Sequence, residues 1–111
     1  MNILAGNKLQ LRINVATIRD TATLYLGGHF SFRDKSRFEL AYRNFLDSPR
    51  IENIVVNFAG VAYLDSTALG ALLALRHHAQ ATNTSLFISG ADAAVMQKLN
   101  YACFSKLFTI N

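Results

Sequence analysis

The sequence predicts a single α/β domain with a mixed β-sheet of four to five strands, in the order β β α β α β α β. Three observations support this prediction. The chain has 111 residues, close to the commonest size of one domain. Apolar residues make up 51% of it, which is enough to form a core. After two opening strands, strand-like runs alternate with runs of helical periodicity, a pattern typical of parallel strands joined by right-handed crossovers.

Two strands open the predicted order. Apolar residues alternate within 9–18, which indicates a strand whose apolar side chains share one face. These residues are Leu9, Leu11, Ile13 and Val15. The second strand is predicted over Thr21–Leu26, after a turn at residues 19–20, and Gly27-Gly28 is expected to end it.

A helix, a buried strand and a second helix come next. Residues 31–46 carry apolar side chains at helical spacing. The β-branched run at 54–58 is typical of a central strand that is buried on both faces. Asp65 and Ser66 then precede an alanine-rich apolar run at 68–81, and Asp or Ser in this place begins a helix.

The last predicted elements are shorter. Residues 85–89 form a strand, and 92–101 form a helix with Val95 and Leu99 turned inward. A final short strand is predicted over 107–110.

Composition and charge restrict the possible functions. The net charge of +4 comes from scattered basic residues without a cluster, which argues against nucleic-acid binding. One cysteine, Cys103, excludes an internal disulfide and favours a reducing compartment. No signal peptide or membrane span is apparent, so we expect a cytoplasmic protein without membrane insertion. One domain is expected over 1–111, with its core at 9–110.

One segment carries a specific resemblance. Residues 64–70 read Leu-Asp-Ser-Thr-Ala-Leu-Gly and follow the strand at 54–58, Ile-Val-Val-Asn-Phe. This segment resembles the signature of the STAS domain, the fold of bacterial anti-sigma factor antagonists, in which a buried strand leads to a loop ending in hydrophobic-D-S-S/T-G/A-L-G. A second match runs over 95–110, and Gly28 matches the glycine that closes the second strand of the family. The resemblance covers roughly residues 9–110.

The resemblance implies a signalling module that is not an enzyme and needs no cofactor. The family serine, here Ser66, is phosphorylated by a partner serine kinase, so the implied partner is an anti-sigma factor or a related kinase. Phosphate suits a helix N-terminus, so it is expected to block a docking surface rather than melt the helix. The structural alternative is that Ser66 only caps the helix. Asp65 is either a second capping group or a carboxylate that shapes the reactivity of the serine.

A docking surface is predicted on the helix that follows Ser66. Small or uncharged residues fall on one side of it, at i, i+3, i+4, i+7, i+11 and i+14. They are Thr67, Gly70, Ala71, Ala74, His78 and Ala81. The leucines 69, 72 and 73 should face the core, with Leu75 beside them. The alternative is that the alanines pack under a neighbouring element.

Three departures from the family pattern concern the surroundings of the serine and the end of the chain. The family often carries an aspartate in the loop after the second strand, where this chain has Ser31, with His29 two residues before it. Both are predicted to bind the partner. Cys103 takes the place of a family glycine. The sequence ends at Asn111, where many members continue into a final helix. That helix is expected to be absent, and a bare sheet edge would favour a homodimer.

Two other functions remain open, and a metal site is not expected. The chain could instead be an accessory or structural STAS subunit of a transport or stress-sensing assembly. The other open function is a small hydrolase. The usual serine hydrolase motif G-x-S-x-G is not matched, however, since Ser66 lies in Leu-Asp-Ser-Thr-Ala. His77 and His78 point in different directions on a helix, and with His29 and Cys103 they give no metal-binding spacing.

Overall fold

The computed structural model describes residues 10–101 and the backbone of residues 109–110. Within this part of the chain, five strands form one mixed sheet in the spatial order β1-β2-β3-β4-β5. The strands are β1 (Arg12–Ile18), β2 (Thr21–Phe30), β3 (Asn53–Leu64), β4 (Ser85–Ser89) and β5 (Thr109–Ile110). The helices are α1 (Lys35–Leu46), α2 (Ser66–Ala81) and α3 (Ala93–Tyr101). The predicted class and element order are confirmed.

The sheet combines one hairpin with parallel crossovers. β1 and β2 pair antiparallel around a turn in which Arg19 has a φ of 56°. β2 with β3, β3 with β4, and β4 with β5 are parallel. Since a helix connects each parallel pair, the C-terminal ends of these strands meet at one edge of the sheet, where α2 begins.

β2 is longer than predicted because its glycines do not end it. The strand continues to Phe30, with register shifts against β3 on both sides of Gly27-Gly28, and Gly28 has a φ of 87°. A Cβ on Gly60 of β3 would lie 3.1 Å from the Cα of Gly27. The glycines therefore let two irregular backbones approach closely. As a result Phe30 and Leu64 pair at the strand ends, which brings the two following loops together.

The core lies between the sheet and the buried sides of the helices. Phe38, Tyr42 and Leu46 are the buried residues of α1. Val95 and Leu99 are the buried residues of α3, as predicted. α2 buries residues spaced at i, i+3, i+4, i+7 and i+11, which form one apolar stripe. They are Ala68, Ala71, Leu72, Leu75 and Ala79.

The loop between β2 and α1 is organised by a buried carboxylate. The predicted helix from residue 31 begins instead with a 3-10 turn, Phe32–Asp34, before α1. The side chain of Asp34 is fully buried, and Oδ2 accepts a hydrogen bond from the Ser31 N–H at 2.9 Å. Oδ1 accepts from the Leu11 N–H at 3.3 Å and from Arg37 Nη1 at 3.2 Å. This one carboxylate therefore ties the entry of β1 to the loop after β2.

We expect Asp34→Ala to lower the free energy of unfolding by about 2–4 kcal/mol, because it removes the acceptor of two backbone donors and the partner of a cation. Urea denaturation measures the change. Asp47→Ala is the matched control, since Asp47 is exposed at the end of α1 and should change stability by less than about 0.5 kcal/mol. Equal losses in the two variants would contradict the role given to Asp34.

Candidate functional site

The candidate site lies where β3 ends and α2 begins. Asp65 is the N-cap of α2, and its Oδ1 accepts a hydrogen bond from the Ala68 N–H at 2.9 Å. Its Oδ2 accepts from the Phe32 N–H at 3.2 Å, and its own N–H donates to the Phe30 carbonyl at 3.1 Å. Asp65 therefore joins the end of β2, the 3-10 turn and the start of α2.

Ser66 is the first residue of α2 and is exposed. Capping by Ser66 is therefore the wrong interpretation, because Asp65 takes that position one residue earlier. Within the described residues, the Ser66 hydroxyl has no hydrogen-bond partner. The hydroxyl is therefore accessible, and the helix does not depend on it for its cap.

A groove runs between the start of α2 and α3, and Ser66 lies at its edge. Its volume is about 560 Å³. The lining residues are Leu64, Asp65, Ser66, Leu69, Ala94, Gln97, Lys98 and Tyr101. Sequence reasoning did not find this groove. The spacing 94, 97, 98 and 101 places its α3 residues on one side of that helix, which was the only available signal.

Lys98 of α3 reaches across this groove to β3. Its Nζ donates a hydrogen bond to the Leu64 carbonyl at 2.7 Å and lies 4.3 Å from the centre of the Tyr63 ring. The Tyr63 ring also contacts the His29 ring, with their centres 5.5 Å apart. The ammonium group therefore lies beside the last residues before Asp65 and Ser66.

The two residues predicted in the loop after β2 have other contacts. Ser31 donates from its hydroxyl to Oδ2 of Asp34 at 3.3 Å. His29 is half-buried and contacts Tyr63. Within the part of the chain that the structure describes, neither forms a hydrogen bond with Ser66. The structure thus brings them to the same edge of the sheet as Asp65 but not into contact with the serine.

The predicted docking side of α2 is partly covered by α1. Ala71 is only 4% exposed, so its prediction as a partner contact is wrong. Ala71 and Ala74 face Phe38 and Tyr42 of α1 across a narrow gap. Ala71 and Ala74 therefore pack under α1, which is the alternative stated for them.

His78 is half-buried and engaged by α1. Its Nδ1 lies 2.9 Å from the Tyr42 hydroxyl, and its Nε2 lies 3.4 Å from Arg43 Nη2. Burial raises the pKa of Tyr42 to about 12, which keeps its hydroxyl protonated. The hydrogen bond between Arg43 and Glu39 lowers the pKa of the Glu39 carboxyl and raises the pKa of Arg43. His78 therefore contributes to the contact between the helices.

The outward side of α2 differs from the predicted one. Leu73 was expected in the core, but it is 41% exposed, because the buried stripe of the helix passes through Leu72 and Leu75 instead. Thr67 is half-buried. The exposed residues at a spacing of three and four are Ser66, Gly70, Leu73 and His77. Of the predicted contacts on α2, Gly70 and Ala81 are exposed.

The remaining expectations concern residues that the structure does not describe, a metal site and a membrane span. Cys103, Leu9 and the beginning of the predicted last strand lie outside the described residues. Residues 10–101 contain no group of three or more His, Cys, Asp or Glu side chains that could hold a metal ion. In the same range, no helix has the length and apolar character required to cross a membrane.

Comparison with known proteins identifies relatives along almost the whole chain. The model of the STAS domain family matches residues 12–111. A STAS-domain containing protein of Pseudomonas aeruginosa (strain UCBPP-PA14) is 35% identical over 89 residues, which cover 80% of this chain and 86% of that protein.

Solved structures of low sequence identity share the fold. The unphosphorylated form of the anti-sigma factor antagonist SpoIIAA has a TM-score of 0.72 at 15% identity, covering 90% of this chain and 87% of that chain. The phosphorylated form of the Bacillus cell fate determinant SpoIIAA has a TM-score of 0.71 at 12% identity, covering 90% of this chain and 91% of that chain. A sulfate transporter family protein from Wolinella succinogenes has a TM-score of 0.69 at 19% identity, covering 82% of this chain and 73% of that chain.

At the end of β3, an aspartate caps a helix that begins with a serine, within the segment 64–70 that carries the resemblance. On the strength of this match and of the identity with the Pseudomonas protein, the chain belongs to the STAS domain family.

Proposed function

We propose that this chain is a cytoplasmic signalling module of the anti-sigma factor antagonist type. It binds an anti-sigma factor or a related serine kinase, and phosphorylation of Ser66 ends that binding. The observation that carries the proposal is the exposed Ser66 hydroxyl at the start of α2, next to a helix cap that Asp65 supplies. A serine that the cap does not require can be modified without loss of the helix.

The local charges explain how a phosphate would act here. Phosphorylation adds about −1.5 to −2 charges at neutral pH. The unpaired N–H groups and the dipole of α2 favour an anion at Ser66, so the helix survives the modification. The Asp65 carboxylate lies next to it, which makes this part of the surface strongly negative. A partner surface that fits a neutral hydroxyl would then have to desolvate this charge, at a large cost in binding free energy.

The docking surface that we propose consists of the outward side of α2 and the 3-10 turn beside it. Its members are Ser66, Gly70, Leu73, His77 and Phe32. Phe32 is 66% exposed and Leu73 is 41% exposed, while the backbone of Phe32 is hydrogen-bonded to Asp65. Exposed large apolar side chains with polar neighbours are typical of protein-binding surfaces. A phosphate on Ser66 would stand inside this surface.

The second candidate function is that of an accessory STAS subunit in a transport assembly. The observation that favours it is the fold shared with the sulfate transporter family protein. In this function the same surface would hold a permanent partner, and Ser66 would remain unmodified.

Phosphorylation itself separates the two functions. We expect incubation with ATP and the serine kinases of the host to add one phosphate to the protein, at Ser66, as located by mass spectrometry. Ser66→Ala is the control, and it should remain unmodified and lose less than about 0.5 kcal/mol of stability, because Ser66 is not the cap. A wild-type protein that stays unphosphorylated with all of these kinases would favour the accessory subunit.

Ser66→Asp is expected to weaken binding to the anti-sigma factor or kinase while the melting temperature stays nearly unchanged. An aspartate suits the first turn of a helix, but its charge must be desolvated at the interface. Ser66→Ala should bind like the wild type. Calorimetry with the purified partner measures both variants. Wild-type affinity in Ser66→Asp would remove the switch from the proposal.

Leu73→Arg is expected to reduce partner affinity by about tenfold or more, since it places a charge in the centre of the proposed surface. Leu40→Arg is the matched control, because Leu40 is 70% exposed on α1, away from this surface. Both variants should fold, since both side chains are exposed. If the two variants bind equally well, the partner docks elsewhere.

A further inference from the structure

We propose that Lys98 is the cation that binds a phosphate group on Ser66, and that its Nζ leaves the Leu64 carbonyl to do so. The inference rests on the proposed phosphorylation of Ser66 and adds the residue of this chain that responds to it. In the unmodified protein Lys98 holds α3 against the end of β3, and in the phosphorylated protein it links α3 to the start of α2.

The reach of Lys98 follows from its present contact. Its Nζ is 2.7 Å from the Leu64 carbonyl oxygen, and Ser66 is only two residues further along the chain. Two residues span at most about 7 Å of backbone. Lys98 and Ser66 also line the same groove. Rotation of the flexible lysine stem is sufficient to bring the ammonium group to the phosphate.

The present partners of Lys98 are neutral and weaker than a phosphate. They are the Leu64 carbonyl and the face of the Tyr63 ring, 4.3 Å from Nζ. Within the described part of the chain, Lys98 forms no ion pair. A hydrogen bond between an ammonium and a phosphate dianion is charge-assisted and stronger than one to a neutral carbonyl. The phosphate would therefore draw the ammonium group away from Leu64.

Other charged and titratable groups of the described residues also lie near this place. The Asp65 carboxylate repels a phosphate and favours its protonation. Arg33, in the 3-10 turn, is the competing cation, and its guanidinium lies over the ring of the preceding residue, 5.8 Å from the ring centre. His29 at the end of β2 and Tyr101 on the wall of the groove are two further titratable groups near this place. Lys98 is distinguished from Arg33 because it lines the groove together with Ser66.

The test installs the phosphate without a kinase. Phosphoserine is incorporated at position 66 during translation, and the second pKa of its phosphate is measured by phosphorus NMR during a pH titration. With Lys98 present, we expect a value below the usual one of about 6. Lys98→Gln should raise it by about 0.5 or more, since it removes a neighbouring cation, and Lys98→Arg should keep it low. Arg33→Gln is the matched control and should leave it unchanged.

The outcomes are separable. Equal titration curves for the phosphorylated protein with and without Lys98→Gln would overturn the proposal, and so would a shift produced by Arg33→Gln alone. Because Lys98 is exposed, its variants should fold, and proton spectra recorded on the same samples would check this. Because the phosphate is installed directly, the result does not depend on whether a kinase of the host modifies Ser66. Failure of the kinase experiment would remove the proposed function but leave this measurement valid.

Discussion

The two oxygens of one carboxylate determine how this end of the molecule is assembled. Oδ1 of Asp65 accepts a hydrogen bond from the first turn of α2, and Oδ2 accepts one from the Phe32 N–H in the 3-10 turn. Its N–H group binds the carbonyl of Phe30, the last residue of β2. Three separate segments therefore meet at one residue. Since Asp65 caps α2, the helix does not need the side chain of Ser66 as its cap. Ser66 carries the exposed hydroxyl.

A second carboxylate completes the arrangement from the opposite side of the loop. Asp34 is fully buried and accepts hydrogen bonds from Ser31, Leu11 and Arg37. Asp34 binds the N–H of Ser31, just before the 3-10 turn, and Asp65 binds the N–H of Phe32, its first residue. The exposed ring of Phe32 is therefore held on a rigid turn beside α2. A preorganised surface of this kind loses less conformational entropy when a partner binds.

The sequence predicted the order of the elements and the start of α2 because those features depend on neighbouring residues. The apolar strand at 54–58 and the polar residues before 68–81 are local signals of this kind. The family resemblance was also local, since it rested on residues 64–70. The predicted boundaries were wrong where pairing between strands overrides local preference, as at Gly27-Gly28, which β3 holds in the sheet.

The candidate site was less predictable, because its helices are positioned by contacts between distant segments. Ala71 is covered by α1, whereas Leu73 is exposed, and both follow from where α1 packs rather than from the composition of α2. The Ser31-Phe-Arg-Asp34 spacing is a capping-box pattern that could have pointed to Asp34. Lys98 had no comparable signal, because its proximity to Leu64 is created by the crossover that returns α3 to the sheet.

The close approach of β2 and β3 makes the geometry around Ser66 sensitive to positions that have no chemical role. A Cβ on Gly60 would lie 3.1 Å from both the Cα of Gly27 and the Leu26 carbonyl oxygen, which are backbone atoms and cannot rotate away. Any side chain there would push the strands apart just before the Phe30–Leu64 pair. The hydrogen bond from Asp65 to Phe30 would lengthen with them. A substitution at Gly60 should therefore disturb the geometry around Ser66 and also lower the temperature at which the protein unfolds.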